Sequence, residues 1–328
     1  MIILKMIKIN KYIFIAIVVI CVVGIALLVP KKLRTPELES SIKEVSVLAV
    51  GDIMLSRYVA TKSKIAGDYN FPFLKVSEKI RSADIAFGNL ESPITPGKEV
   101  LINEMVFRTD PEVAVALHDA GFDVLSLANN HMPDFGEKGI KDTVKYLDEA
   151  SVLHTGAGVN LAEASKPAFI EKGGLVFAFL AYNDPDVVPT YYEASQSSAG
   201  TSFMRIENMK KDIAKAKSRS DFVIVSMHSG HEYTIVPNIS QTEFAKAAID
   251  AGAEVVIGHH PHVVQPVEQY KGKYIFYSLG NFIFDQANPE TKKGLAVELL
   301  FDKSGVKEVT EHKVLIENFS QARFVDEY

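Results

Sequence analysis

Cysteine is nearly absent from this 328-residue chain: Cys21 is the only one. No intrachain disulfide can form, and zinc sites built on thiolates are excluded. Low-complexity tracts and internal repeats are missing as well. So is any basic excess, the formal net charge being −6. Lys5, Lys8, Lys11, Lys31, Lys32 and Arg34 all fall in residues 1–34, where there is no acid, so the remainder is more acidic than the total suggests. An acidic body lacks the electrostatic footprint that nucleic acid requires, and no nucleic-acid partner is expected. With 47% hydrophobic and 23% charged residues, stability must come from an ordinary apolar core. The length allows one large or two modest domains.

One long apolar run is present. Tyr12 to Val29 is almost wholly apolar and is flanked by lysines on both sides. As a helix it would span roughly 27 Å, close to the hydrocarbon thickness of a bilayer. Gly24-Ile25-Ala26 could serve as a signal-peptide cleavage site, but Leu27-Leu28-Val29 continue the run beyond it. The reading is an uncleaved single-pass anchor, with Cys21 as a small membrane residue. The expected organisation is a basic segment at 1–11, the span at 12–29, a polar stalk at 30–44 and one domain at 45–328. That domain has its core at 45–284 and C-terminal strands at 295–316. It is expected outside the cytoplasm, at the bacterial cell membrane.

Apolar segments then alternate between strand and helix patterns. Glu44 to Val50 reads as a buried strand stopping at Gly51-Asp52. Phe73, Val76 and Ile80 have helical spacing. Ile85 to Phe87 is a short strand ending at Gly88-Asn89-Leu90-Glu91, and Pro93 and Pro96-Gly97 place Glu91 in a loop. Asp110-Pro111 reads as an N-cap followed by a first-turn proline, and Gly121 as the left-handed close. Val124 to Leu127 forms the next strand, ending at Ala128-Asn129-Asn130-His131. Ile140, Val144 and Leu147 mark a helix. His118 and His154 read as structural.

Leu175 to Ala181 is a strand. Tyr182 to Gly200 is a long segment that reads as a lid or a surface insertion. Phe222 to Val225 lies in a strand that ends at His228-Ser229-Gly230-His231-Glu232. Ser240-Gln241-Thr242-Glu243 reads as a capping box, with Gly252 closing its helix. Val255 to Ile257 is a short buried strand that releases Gly258-His259-His260-Pro261-His262. Tyr274 to Leu279 ends at Gly280-Asn281. Leu295–Phe301 and Val306–Ile316 read as a hairpin around Asp302-Lys303-Ser304-Gly305.

Alternating strands and helices imply an α/β domain, whose ligand sites lie beyond the carboxyl ends of strands. Asp52, Glu91, Asn130-His131, His228 and His260-x-His262 each follow a separate strand. Any one of them has a local reading as a turn cap or a satisfied surface group. Together they point to a shared metal site. Imidazole with carboxylate and amide oxygen suits Zn, Fe or Mn. One or two divalent ions could be held, with a bridging carboxylate; a pair roughly 3.5–4 Å apart can clamp a phosphate and activate water. His131 is the candidate general acid, a role worth ~10²–10⁴-fold. Arg57 reads either as a contact for an anionic substrate or as an ordinary surface arginine.

Six segments carry a resemblance. They are Gly51-Asp52-Ile53-Met54-Leu55, Gly88-Asn89-Leu90-Glu91-Ser92-Pro93, Leu127-Ala128-Asn129-Asn130-His131, His228-Ser229-Gly230-His231-Glu232-Tyr233, Gly258-His259-His260-Pro261-His262 and Ser278-Leu279-Gly280-Asn281-Phe282. From Val45 to Phe284 the chain resembles the CapA family, which is associated with capsule and poly-γ-glutamate synthesis in bacteria. That family is similar in turn to calcineurin-like metallophosphoesterases. The resemblance implies a four-layer α/β/β/α sandwich. It also implies metal-ligand roles for Asp52, Glu91, Asn130, His228, His260 and His262, with His131 catalytic. Glu91 stands where a shorter bridging aspartate is expected, and Met54 where a histidine is expected. These departures leave one ion weakly held, held by another side chain such as His259 or His231, or absent. Asn89, Glu232 and Asn281 lie in the same segments as further candidate contacts to substrate or metal.

Two functions follow. One is a membrane-anchored, metal-dependent hydrolase cleaving a phosphoester or amide in an envelope polymer. The other is a non-catalytic accessory protein that binds poly-γ-glutamate or membrane synthase subunits. An acidic body repels a polyanion until salt screens it beyond ~8–10 Å, so polymer binding calls for a local basic groove.

Overall fold

The structure, a computed structural model, describes residues 43–328. The basic N-terminus, the apolar span at 12–29 with Cys21, and the stalk as far as residue 42 lie outside the described residues. Among the described residues no helix is long and apolar enough to cross a membrane.

The domain opens with β1 (Val45–Ile53), which runs on through Gly51-Asp52 beyond the apolar run. Helices α1 (Arg57–Ala66) and α2 (Ser77–Ser82) lead to β2 (Ile85–Leu90). Then come α3 (Val113–Ala120), β3 (Val124–Ser126), α4 (Gly136–Glu149) and β4 (Leu153–Thr155). After β5 (Ala157–Gly158) and α5 (Leu161–Ala164), β6 (Ala168–Lys172) and β7 (Leu175–Asn183) pair as a hairpin. The chain continues through β8 (Gly200–Thr201), α6 (Ile206–Lys217), β9 (Phe222–His228), α7 (Ile239–Ala251) and β10 (Val255–His259). It ends with β11 (Val267–Tyr270), β12 (Lys273–Phe276), β13 (Asn281–Ile283), β14 (Lys293–Asp302), β15 (Gly305–Glu317) and β16 (Gln321–Val325).

Two mixed sheets result. The first has the order β16-β15-β14-β1-β2-β3-β4, with β13 pairing to the end of β1; the second is β11-β12-β10-β9-β7-β6. Residue parity on the central strands explains the layering. On β9, Phe222 and Ile224 face one way and Val223 and Val225 the other, and all four are buried. Strands apolar on both faces need cover on both faces. Val47, Phe87 and Val124 of the first sheet meet Phe177, Ile224 and Ile257 of the second in a shared cluster. Val59, Leu117, Ile140 and Leu147 from α1, α3 and α4 cover the far side of the first sheet. Ile213 and Phe244 from α6 and α7 cover the far side of the second. The layers therefore run helix, sheet, sheet, helix. Phe87 and Phe179 stack across the middle at 5.2 Å between ring centroids. Fully burying one such ring contributes about 1.5–3 kcal/mol.

Several local expectations shift. Helix α3 starts at Val113 with Glu112 before it and no side-chain cap. Asp110 does not act as the N-cap. Its carboxylate instead accepts from Arg108 Nη1 at 2.8 Å and Tyr69 Oη at 3.0 Å, and pairs with Lys64 at 3.0 Å. A charged partner competes better for a carboxylate than a backbone amide does. The capping box of α7 is Asn238 with Gln241, so Ser240 to Glu243 already lie inside the helix. Ser240 Oγ donates to Asp184 instead, at 2.7 Å. Gly121 and Gly252 close their helices at φ 105° and 108°, as expected. The strand expected over Tyr274–Leu279 ends at Phe276, and the C-terminal hairpin gains a third strand, β16.

Candidate metal centre

Strand register brings the site together. Asn281 of β13, Asp52 of β1, Asn89 of β2 and Ser126 of β3 are paired neighbours across the first sheet. Asn183, His228 and His259 are paired neighbours across the second. The two rows meet where Asn89 Nδ2 lies 3.3 Å from His228 Nδ1 and His259 Nδ1 lies 3.2 Å from Asp52 Oδ1. Close backbone approach makes this geometry possible. A Cβ on Gly51 would sit 2.0 Å from Gly280 O, and one on Gly258 would sit 2.0 Å from Tyr277 O.

One group consists of Asp52, Glu91 and His262. Each is buried, and one potential ligand atom from each lies within 4.8 Å of the others. Burial alone would raise the Asp52 carboxyl, but contacts with His259 and His262 outweigh it and hold the carboxyl well below its usual range. Burial, followed by the charge of Asp52, pushes Glu91 well above its usual value. Both Glu91 oxygens are buried with no hydrogen-bond partner. A buried carboxyl without donors is costly unless a cation or ordered donor meets it. His262 Nδ1 lies 2.9 Å from Asn281 Oδ1. Asn281 Nδ2 donates to the carbonyl of Thr291 at 2.9 Å, so Oδ1 must be its acceptor end. The His262 proton is therefore on Nδ1, and Nε2 turns a lone pair toward Glu91 Oε1, 3.8 Å away. A hydrogen-bonded outer partner that sets a histidine tautomer is the usual support of a metal ligand. This donor set fits a divalent transition ion.

The other group consists of Asn130, His228 and His260. His228 Nε2 is 2.8 Å from Asn130 Oδ1 and 3.2 Å from His260 Nδ1. Burial, then the neighbouring His260, lowers His228. Burial, then His262, lowers His260 to about 3. Both rings are thus neutral at physiological pH. The turn carrying His260 and His262 is strained, with φ 97° and 58°. Non-glycine residues in the left-handed region cost on the order of 1–3 kcal/mol each. Hydrogen bonds hold the turn there: His260 N donates to Asp52 Oδ2 at 3.2 Å, and Tyr233 N to Pro261 O at 2.8 Å.

The remaining candidates scatter around this centre. His131 Nδ1 donates to Asp134 Oδ2 at 2.8 Å, and its ring stacks on Phe107 at 3.8 Å. Arg57 is not free to meet an anion. Its guanidinium is engaged by both carboxylate oxygens of Asp285 and lies over Phe107 at 4.6 Å. His231 is exposed, and Glu232 is exposed but adds its charge to the field at Glu91. His259 is fully buried beside Asp52, which favours it over His231 as an additional contact. Met54 packs in the helix-side core, with its sulfur accepting from Ser56 N at 3.1 Å. Two side chains touch both groups: Asn89, an amide that reaches Asp52 and His228, and Asp52, whose Oδ2 accepts from His260 N, while Glu91 lies with Asp52 and His262.

Three supporting residues escaped the sequence reading. Asn129 Nδ2 donates to Leu90 O at 2.8 Å and to Asn89 Oδ1 at 3.1 Å, while its Oδ1 accepts from Met132 N at 2.8 Å. Asp134 orients His131 and also accepts from Phe107 N at 2.6 Å. Asp285 holds Arg57. Asn129 and Asp134 stand next to Asn130 and three residues after His131, which was a usable local signal. Asp285 is 228 positions from Arg57 and had none.

The chain is 36% identical over 302 residues to the PGA biosynthesis protein CapA of Bacillus subtilis (strain 168), covering 91% of this chain and 79% of that one. It is 36% identical over 266 residues to the capsule biosynthesis protein CapA of Bacillus anthracis, covering 78% of this chain and 64% of that one. Among solved structures, the sulfate thiohydrolase SoxB of Thermus thermophilus aligns with a TM-score of 0.44 at 12% identity, covering 74% of this chain and 38% of that one. Residues 46–286, which contain every strand-end ligand described above, match the family described as bacterial capsule synthesis protein PGA_cap, and the chain belongs to that family.

Proposed function

We propose that this protein acts in the synthesis or export of an anionic envelope polymer such as poly-γ-glutamate, and that it does so as a metal-dependent hydrolase. The observation that carries the reading is Glu91: a fully buried carboxylate with both oxygens unpaired, beside Asp52 and His262. On this reading Asp52, Glu91 and His262 hold a divalent Mn, Fe or Zn ion, next to Asn130, His228 and His260. When bound, such an ion supplies Lewis-acid polarisation of a phosphoryl or carbonyl oxygen. The protein's own share is positioning and proton transfer. Asn281 keeps the His262 lone pair on Nε2. Asp134 keeps the His131 proton on Nδ1, so that Nε2 can take up a proton and deliver it to a leaving oxygen or nitrogen. The metallophosphoesterase-like four-layer sandwich is part of this proposal. So is the apolar span at 12–29 as a single-pass anchor holding the domain outside the cytoplasm.

The test is metal analysis of the full chain together with the size distribution of poly-γ-glutamate after incubation. The expected result is bound transition metal and shortened polymer, with both lost in Glu91→Gln. Metal-free protein, prepared without chelator, would sink the hydrolase reading.

A second reading rests on Arg57. With Asp285 neutralising it, this arginine offers little charge to a polyanionic substrate at the centre, which suits an accessory role exercised on synthase subunits rather than on the polymer. Two relatives from Mycobacterium tuberculosis, 30% identical over 250 residues, are called probable polyglutamine synthesis accessory proteins. Under that reading His131→Ala restores polymer production in a deletion strain. Under the hydrolase reading it does not.

A further inference from the structure

Resting on the metal-centre reading above, we propose that the centre holds one divalent ion, at Asp52, Glu91 and His262, and that Asn89 is the residue that keeps it to one. The argument starts from which way the Asn89 amide points. Asn129 Nδ2 donates to the backbone carbonyl of Leu90, and Asn129 Oδ1 accepts from the backbone amide of Met132. Backbone partners cannot exchange roles, so the orientation of Asn129 is determined. Its Nδ2 also donates to Asn89 Oδ1 at 3.1 Å. Asn89 Oδ1 is thereby taken up on the Asn129 side. Asn89 Nδ2 faces the centre and reaches Asp52 Oδ1 at 2.9 Å and His228 Nδ1 at 3.3 Å.

Two consequences follow. Between Asp52 and His228 the protein places the N–H bonds of Asn89, whose positive ends repel a cation, and the Asp52 oxygens beside them are already engaged, Oδ1 by Asn89 and His259 and Oδ2 by the backbone amide of His260. Two divalent ions a few ångströms apart repel one another strongly, and an anion between them is what offsets that repulsion. The second consequence concerns His228. Its Nδ1 accepts from Asn89, so in the neutral ring the proton is on Nε2. That proton points to Asn130 Oδ1, 2.8 Å away. His228 therefore spends its lone pair on Asn89 and its proton on Asn130. His262 is arranged the opposite way, with the proton on Nδ1 toward Asn281 and the Nε2 lone pair open toward Glu91. The same side-chain chemistry is set as a ligand in one half and as a hydrogen-bonded support in the other. The choice is made by Asn281 in one case and Asn89 in the other.

The test is Mn(II) titration of the full-length protein, reading bound ions per chain and the electron paramagnetic resonance spectrum at saturation. The wild type is expected to take one ion and show an uncoupled six-line signal. Asn89→Asp, which replaces the inward amide by a carboxylate, is expected to take two ions and show a broadened, spin-coupled signal. His228→Ala is expected to leave the count at one, and it decides the matter if Asn89→Asp does not fold. Two ions in the wild type, falling to one in His228→Ala, would overturn the proposal while leaving the metal centre intact. One ion in folded Asn89→Asp would overturn the role given to Asn89. No ion in the wild type would instead sink the metal-centre reading itself.

Discussion

Asp52, Glu91 and His262 adjoin Asn130, His228 and His260, and the two trios are made of the same kinds of atom. They differ in what those atoms already hold. Both oxygens of Glu91 are buried without a partner, whereas His228 is hydrogen-bonded to Asn130 and contacts His260. Their protonation differs as well. Burial and the charge of Asp52 push Glu91 up, while burial and neighbouring imidazoles push His228 and His260 down. An inventory of ligand types would count six ligands. The hydrogen-bond partners set apart Glu91, left open beside Asp52 and His262, from His228, both of whose ring nitrogens are already engaged.

The strongest way to break this comparison is Glu91→Gln. Metal affinity is expected to fall by at least about 100-fold, since an anionic ligand is lost, whereas Asn130→Ala is expected to change it by less than about tenfold. Isothermal titration with Mn(II) or Zn(II) measures both. Equal losses would erase the distinction between the trios. The same Glu91→Gln protein without metal is expected to melt higher than the wild type at neutral pH. A raised carboxyl is fully compatible with folding below its unfolded pKa and costs stability as pH rises through the folded value.

The second trio has the opposite sign. The folded pKa of His260, about 3, lies below its unfolded value, so the unfolded chain takes up the proton first as pH falls. This contribution is complete above about pH 6.5 and is lost progressively toward pH 3. Between pH 7 and 5 it amounts to about 2 kcal/mol. Thermal melts of metal-free wild type and His260→Ala at the two pH values test this. The wild type should lose more of its melting temperature than the variant.

A further sharpening is the pH dependence of metal binding. Because Glu91 must ionise to act as a ligand, affinity should rise by roughly tenfold per pH unit until its raised pKa is passed. A flat profile would remove Glu91 from the ligands. The smallest effect serves as a control. Asn238→Ala removes one half of the capping box of α7 and should cost about 1 kcal/mol of stability, with metal stoichiometry unchanged.

Much of the candidate site was legible as residue types at strand ends. The strands before Asp52, Glu91, Asn130, His228 and His260 are short, apolar and bounded by turn residues, so their ends could be located within a few positions. Helix closes at Gly121 and Gly252 were legible for the same reason, since a left-handed cap depends on local backbone freedom. Asp110 misled because its side chain answers to Arg108, Lys64 and Tyr69, and the latter two are more than forty positions away in the chain. Arg57 misled in the same way through Asp285.

The sequence by itself determined the α/β class, the strand ends that carry oxygen and nitrogen ligands, and the family. These follow from hydrophobic period, turn chemistry and motif order, all of them properties of neighbouring residues. Only the tertiary structure decided how the ligands divide. Whether a histidine offers a lone pair or a proton depends on which way an asparagine from another strand points. That orientation is set in turn by backbone groups brought in by sheet register. Asn89 and Asn281 are the same residue type at equivalent strand positions beside Asp52, and they prepare His228 and His262 for opposite roles.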